Sequence, residues 1–133
     1  MHVASFSFER RGVDHFVNER QLEVIRLRKG GRTFNEISKK MDIGTERARQ
    51  LYVKGLENLR LERDIREYHR ELFNAAEDMG MDSTTLISFY KRLKKNNIEY
   101  AWKKLSDDEL RSYPQVGEKF IEFIHEARKY TPL

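Results

Sequence analysis

The strongest constraint on the fold is a break of only three residues, Asp42-Ile43-Gly44, between two helical patterns. Thr33 followed by Glu36 is a capping-box sequence, which predicts a helix over about 34–41. Thr45 can cap the next helix, whose apolar residues recur at spacings of three to four and form one buried stripe. The stripe consists of Ala48, Leu51, Gly55, Leu56 and Leu59. Two helices joined by a short glycine-containing turn, the second with a polar outer face, have helix-turn-helix geometry.

Helical patterns also account for most of the remaining chain. Asn18 is an N-cap candidate for a helix that Gly30-Gly31 ends, and the stripe after Thr45 continues without a breaker to Gly80, which predicts a continuous or once-kinked helix. Residues 3–8 alternate in polarity but are too few and too isolated to make a sheet. We therefore expect an all-α fold with an N-terminal arm over 1–17, a helix-turn-helix domain over 18–62, a helical connector over 63–82 and a second small helical domain over 83–133.

Positive charge is concentrated in the helix-turn-helix segment. Residues 18–64 carry 12 Lys and Arg against 8 Asp and Glu, whereas residues 65–133 carry 12 of each. A local basic surplus is typical of a nucleic-acid surface, and a solvated helical face is the alternative explanation.

The first turns of the second helix carry the side chains that a major groove requires. Gln50 can pair with adenine, Arg47 or Arg49 with guanine or phosphate, and Glu46 can accept from cytosine. Other basic residues are placed to meet phosphate groups. The predicted DNA-binding set is Arg32, Thr33, Lys39, Lys40, Thr45, Glu46, Arg47, Arg49, Gln50 and Lys54.

The residues carry a specific resemblance over about 16–60. The segments NERQLEVIRLRKG, GRTFNEISKKM and TERARQLYVKGLENLR are similar to region 4 of bacterial sigma factors. That resemblance implies a helix-turn-helix that recognises the −35 promoter element and docks on the β flap of RNA polymerase, in a bacterial or phage chain. The DNA-facing positions of the family fall on Glu46, Arg47, Arg49 and Gln50. Thr45 stands where the family usually has a base-contacting arginine.

The C-terminal part carries a second resemblance. The segments FYKRLKKNNIEYAW and LSDDELRSYPQVGEKFIEFIHEAR are similar to the C-terminal domain of the RNA polymerase α subunit. This implies a helix-hairpin-helix fold that contacts upstream DNA and activators. Ser88 lies near the place of the main minor-groove arginine of that family, and Glu118 is acidic, so a protein-docking or core role remains open beside a nucleic-acid role. The candidate residues are Lys91, Arg92, Lys94, Lys95, Gly117 and Lys119.

Several kinds of chemistry have no support in the sequence. The chain has no cysteine and only four scattered histidines, and no phosphate loop, nucleophile motif or metal-spaced ligand set occurs. Asp107-Asp108-Glu109 is ordinary for the first turn of a helix. We expect no enzyme activity, no metal and no cofactor. No apolar run approaches the roughly 18 residues of a membrane span, so a soluble, cytoplasmic protein is expected. The expected binding to DNA implies association with the nucleoid.

Two functions remain open from the sequence. The first is a sequence-specific transcription regulator that binds double-stranded promoter DNA and contacts RNA polymerase. The second is an adaptor or sigma antagonist that binds RNA polymerase and reads no DNA sequence. Arg47, Arg49 and Gln50 favour the first, while uncharged residues at Thr45 and Ser88 keep the second open.

Overall fold

A computed structural model describes residues 16–131, and these residues form helices and connecting turns without a strand, which confirms the predicted all-α fold. Residues 3–8 and most of the predicted N-terminal arm lie outside the described part. No described helix is both long and apolar enough to cross a membrane. The α-helices are α1 (Glu19–Lys29), α2 (Phe34–Met41), α3 (Thr45–Tyr68), α4 (Arg70–Asp78), α5 (Ser83–Lys95), α6 (Asp107–Arg111) and α7 (Glu118–Arg128), with a 3-10 turn at Trp102–Lys104.

The described residues form two compact units, Phe16–Arg63 and residues 64–131. Phe16 and Val17, placed in the predicted arm, are both buried in the described structure. Of the residues expected to form the connector over 63–82, residues 63–68 belong to α3 and residues 70–78 form α4, whose Leu72 and Phe73 are buried.

In the first unit, short-range caps explain where α1 and α2 begin. The Asn18 side chain accepts from the backbone N–H of Gln21 at 2.8 Å, and the Gln21 side chain accepts from the backbone N–H of Asn18 at 3.1 Å. Thr33 and Glu36 make the same reciprocal pair at the start of α2, as the sequence predicts. Each box satisfies two amides that have no partner within the helix.

The core of the first unit joins all three of its helices. Val24 from α1, Ile37 from α2, and Ala48 and Leu51 from α3 are buried together. Gly55 lies where α3 approaches α1 most tightly, because a Cβ there would lie 2.8 Å from Ile25 Cδ1 and 3.1 Å from Gln21 Cβ. Partly buried residues complete this core: Leu27, Phe34, Met41, Ile43 and Tyr52.

The second unit packs around aromatic residues. Phe89 of α5 contacts Phe120 and Phe123 of α7 with ring centroids 5.0 and 5.2 Å apart. Arg128 ties α7 to the 3-10 segment, since its Nη2 donates to the carbonyl oxygens of Trp102, at 2.8 Å, and Leu105. The helices of this unit therefore share one apolar core.

His69 breaks the long helical pattern that the sequence predicts up to Gly80. Its backbone, at φ −138° and ψ 48°, is not helical, so α3 ends at Tyr68 and α4 begins with a new phase. Tyr68, the last residue of α3, is 64% exposed. The His69 ring is buried between Tyr90 and Tyr100, at centroid distances of 5.1 and 4.9 Å.

The buried imidazole has little to stabilise a positive charge. Its Nε2 has no hydrogen-bond partner among the described residues. Burial lowers the pKa of His69 below its ordinary value, and this effect outweighs the opposing influence of the Glu71 and Glu99 carboxylates. The neutral ring is therefore the form that the fold favours.

We expect Gly55→Leu to destabilise the protein by about 1–3 kcal/mol, because the added side chain separates α3 from α1. Val53→Leu on the exposed side of α3 is the matched control and should change stability by less than about 0.5 kcal/mol. Urea unfolding followed by circular dichroism measures both. Equal midpoints for the two variants would show that the helices do not approach closely at Gly55.

Stability is also predicted to decrease with acidification. Because the pKa of His69 is lower in the folded chain than in the unfolded chain, the unfolded chain binds a proton first as the pH falls. The His69 contribution is therefore complete above about pH 6.5 and is lost progressively below it. Chemical unfolding between about pH 5 and 8 measures this dependence.

A His69→Phe variant should show a flatter pH profile than the parent chain. His125→Gln is the control, because His125 is exposed and bonded to Asp107 at 2.8 Å, so this variant keeps the His69 contribution. The same profile in the parent and in His69→Phe would contradict the assignment.

Candidate nucleic-acid interface

The beginning of α3 presents a polar surface because its opposite side is buried. Ala48 and Leu51 pack into the core, so the residues between them and beside them point outward. All side chains of the predicted DNA-binding set are exposed. They are Arg32, Thr33, Lys39, Lys40, Thr45, Glu46, Arg47, Arg49, Gln50 and Lys54.

The turn between α2 and α3 is shaped by one left-handed residue and held by two local hydrogen bonds. Asp42 adopts a left-handed conformation, with φ 56°, and the backbone N–H of Ile43 donates to the Ser38 carbonyl oxygen at 3.0 Å. The Thr45 hydroxyl donates to Ser38 Oγ at 3.4 Å. Thr45 therefore bonds to the neighbouring helix through its side chain, a role that the helical spacing did not indicate.

Glu46 and Arg49 form an ion pair on the exposed face of α3. Arg49 Nε donates to Glu46 Oε1 at 3.1 Å, and Arg49 Nη2 donates to Glu46 Oε2. One turn further along, Lys54 Nζ lies 3.3 Å from Glu57 Oε1. The exposed face of α3 therefore carries acidic side chains beside basic ones instead of being uniformly positive.

At the start of α2, a carboxylate of the helix itself accepts a backbone hydrogen bond. Glu36 accepts from the backbone N–H of Thr33 at 2.8 Å, and the Thr33 hydroxyl accepts from the backbone N–H of Glu36 at 3.1 Å. Hydrogen bonding of the Glu36 carboxylate to the Thr33 backbone, and next to the Thr33 side chain, lowers the pKa of Glu36. The backbone amides of Thr33 and Glu36 are therefore hydrogen-bonded within the protein.

The backbone of Arg32 is hydrogen-bonded to Arg28, a cation of α1. Arg28 Nη1 donates to the Arg32 carbonyl oxygen at 3.0 Å, and the Arg28 guanidinium carbon lies 4.4 Å from the centroid of the Phe34 ring. Lys39 and Lys40 are exposed in the last turn of α2. The α1–α2 junction and the end of α2 thus place positive charge on the first unit beside the face of α3.

The second candidate surface is only partly free for a ligand. Arg92 lies over Phe89 and Phe120, with its guanidinium carbon 5.2 and 5.5 Å from the ring centroids. Lys94 Nζ lies 3.8 Å from Asp64 Oδ2. Lys91 is partly buried, and Lys95 is exposed.

The start of α7 contains an ion pair that the sequence spacing did not reveal. Arg111 Nε and Nη2 donate to the two Glu118 oxygens at 3.0 and 3.2 Å, and this hydrogen bonding lowers the pKa of Glu118. Gly117 and Lys119 are exposed beside it. Arg92 of α5 contacts Phe120 in the first turn of α7.

No cluster of three or more His, Asp or Glu residues that could hold a metal is found among residues 16–131.

Comparison with known proteins gives one match, which falls within the first unit. Residues 17–61 match the family model described as Sigma-70, region 4, and this span lies within Phe16–Arg63. No curated protein and no solved structure matches the chain significantly. The match does not extend to the second unit. Residues 17–61 are therefore similar to sigma region 4, a family of DNA-binding helix-turn-helix domains with a role in transcription.

Proposed function

We propose that the chain is a sequence-specific, DNA-binding transcription regulator that reads promoter duplex DNA with the first turns of α3. The observation that carries this proposal is the exposed face of Glu46, Arg49 and Gln50, opposite a buried stripe, in a unit that matches sigma region 4. A helix of this kind fits the major groove and places its N-terminal side chains against base edges.

The contacts divide into base readout and phosphate binding. Gln50 pairs with an adenine, and Arg47 and Arg49 meet guanine or phosphate. Lys39 and Lys40 at the end of α2, Arg32 and Lys54 neutralise phosphates and position the unit on the duplex. The basic surplus of residues 18–64 supplies the sequence-independent part of the affinity.

The similarity to sigma region 4 also supports a contact with RNA polymerase, at its β flap. In the second unit, the cations at the end of α5 and the start of α7 supply a second contact with DNA or protein. Such a protein acts in the cytoplasm, associated with the nucleoid.

One observation favours the alternative function. The Thr45 hydroxyl is bonded to Ser38, at the position where the family usually carries a base-contacting arginine. Without a base-contacting arginine at this position, the alternative is that the unit binds RNA polymerase as an adaptor or sigma antagonist and reads no DNA sequence. The two functions differ in whether the isolated protein selects a DNA sequence.

Selection of bound duplexes from a random pool, at near-physiological salt, separates the two functions. We expect a defined motif to be enriched by the full chain. A folded protein that enriches no motif but is retained by RNA polymerase would replace the regulator with the adaptor. The symmetry of an enriched motif also reports whether the protein binds as a monomer or a dimer.

Gln50→Ala should relax specificity at one base pair of that motif, because the amide can no longer pair with adenine. The expected loss for the preferred base is about 1–3 kcal/mol. Binding is measured on duplexes that carry each base in turn at every position. A variant that keeps the parental preference at all positions would remove Gln50 from direct readout.

Replacing Lys39 and Lys40 together with Ala should weaken binding to all sequences alike. If each lysine neutralises one phosphate, the slope of log affinity against log salt should become shallower by about 2. The control is replacement of Arg20 and Arg26 with Ala, which removes the same charge from α1 and should change the slope less. An unchanged slope after the lysine replacements would show that the end of α2 is not at the DNA backbone.

A further inference from the structure

The ion pair on α3 fixes one edge of an arginine at the centre of the proposed DNA-reading face. Glu46 accepts from both Nε and Nη2 of Arg49, so its carboxylate faces the guanidinium side-on. The two side chains remain 62% and 53% exposed. The pair is therefore ordered by its own hydrogen bonds but open to a ligand.

The side-on pairing with Glu46 leaves the other edge of the Arg49 guanidinium available to a ligand. An arginine carries five N–H donors in one rigid plane, and Glu46 engages one from Nε and one from Nη2. The edge formed by Nη1 and Nη2 keeps two parallel donors. This pattern matches the O6 and N7 acceptors that guanine presents in the major groove.

The start of α3 makes this arrangement important for specificity. Thr45 directs its hydroxyl to Ser38 Oγ, so the first residue of the helix bonds within the protein. Arg49 lies one helical turn later on the exposed side, beside Gln50. Two hydrogen bonds to the Glu46 side chain set the orientation of the Arg49 guanidinium.

We propose that Glu46 is a positioning residue that holds Arg49 for a guanine, so that the pair reads one G·C base pair. The inference rests on the proposed DNA-reading function. Holding the guanidinium in place reduces the rotamer freedom that Arg49 must lose on binding. The Glu46 charge also reduces the attraction of Arg49 to any phosphate, which favours discrimination between sequences over affinity for all of them.

The test measures Kd of the full chain for its selected duplex and for duplexes in which each G·C pair is replaced. Arg49→Ala and Glu46→Ala should lose discrimination at the same G·C pair, by about tenfold or more. The double variant should lose no more discrimination than Arg49→Ala alone, because Glu46 acts through Arg49. The measured quantity is the ratio of the Kd for the replaced duplex to the Kd for the selected duplex. A ratio is needed because removing a carboxylate near DNA changes the affinity for both duplexes.

Two further variants separate positioning from a general charge effect. Glu46→Gln keeps a carbonyl oxygen that accepts from Arg49, so it should retain more discrimination than Glu46→Ala. Glu23→Ala breaks a similar pair on α1, where Arg26 Nη1 lies 3.4 Å from Glu23 Oε1. This control changes the charge equally and should leave the ratio at the G·C pair unchanged.

Three results would overturn the inference. If Glu46→Ala relaxes a different base pair and its loss adds to that of Arg49→Ala, Glu46 reads a base directly. If Glu46→Ala tightens binding to every duplex and keeps the parental ratio, the carboxylate only masks the Arg49 charge. If Glu23→Ala lowers the ratio as much as Glu46→Ala, the effect is general. A parent chain that selects no motif would instead refute the proposed function itself.

Discussion

The close packing of α3 against α1 and α2 is the constraint on which the proposed interface depends. Ala48 and Leu51 fill the space beside Val24 and Ile37, and Gly55 lets α3 approach Ile25 without a side chain between them. Because one side of α3 is held in this way, the residues at the intervening positions have to face outward. The polar surface is thus a consequence of core packing, and its orientation is as rigid as that packing.

The charge pattern on this surface points to discrimination more than to general affinity for DNA. Glu46 pairs with Arg49, and Lys54 lies against Glu57, so cations of α3 have acidic neighbours. Exposed ion pairs of this kind contribute little to folding stability, about 0–1 kcal/mol each. Their proposed effect is on DNA binding, because they orient the hydrogen-bond donors of the cations and lower the attraction of those cations to phosphate. Arg32, Lys39 and Lys40 supply the less selective positive charge.

The second unit shows how tertiary contacts redistribute a basic cluster. The run around Lys91–Lys95 looks uniform in the sequence, yet Arg92 lies over two phenylalanine rings and Lys94 lies beside Asp64. At the start of α7, the carboxylate of Glu118 is bound by Arg111. Among the candidate residues of this unit, Gly117, Lys119 and Lys95 are exposed, whereas Arg92 and Lys94 already have partners. This favours a smaller contribution to DNA affinity than the charge count implies.

The sequence by itself determined the all-α class, the starts of α1 and α2 and the three-residue turn before α3, because capping and helical periodicity depend on residues three or four apart. It also located the exposed polar face of α3, since a buried stripe defines its opposite side. Only the tertiary structure decided that the long helical pattern breaks at His69, that Thr45 bonds to Ser38, and that Arg111 binds Glu118. Those features depend on which side chains meet across turns and between helices, as when His69 packs against Tyr90 and Tyr100.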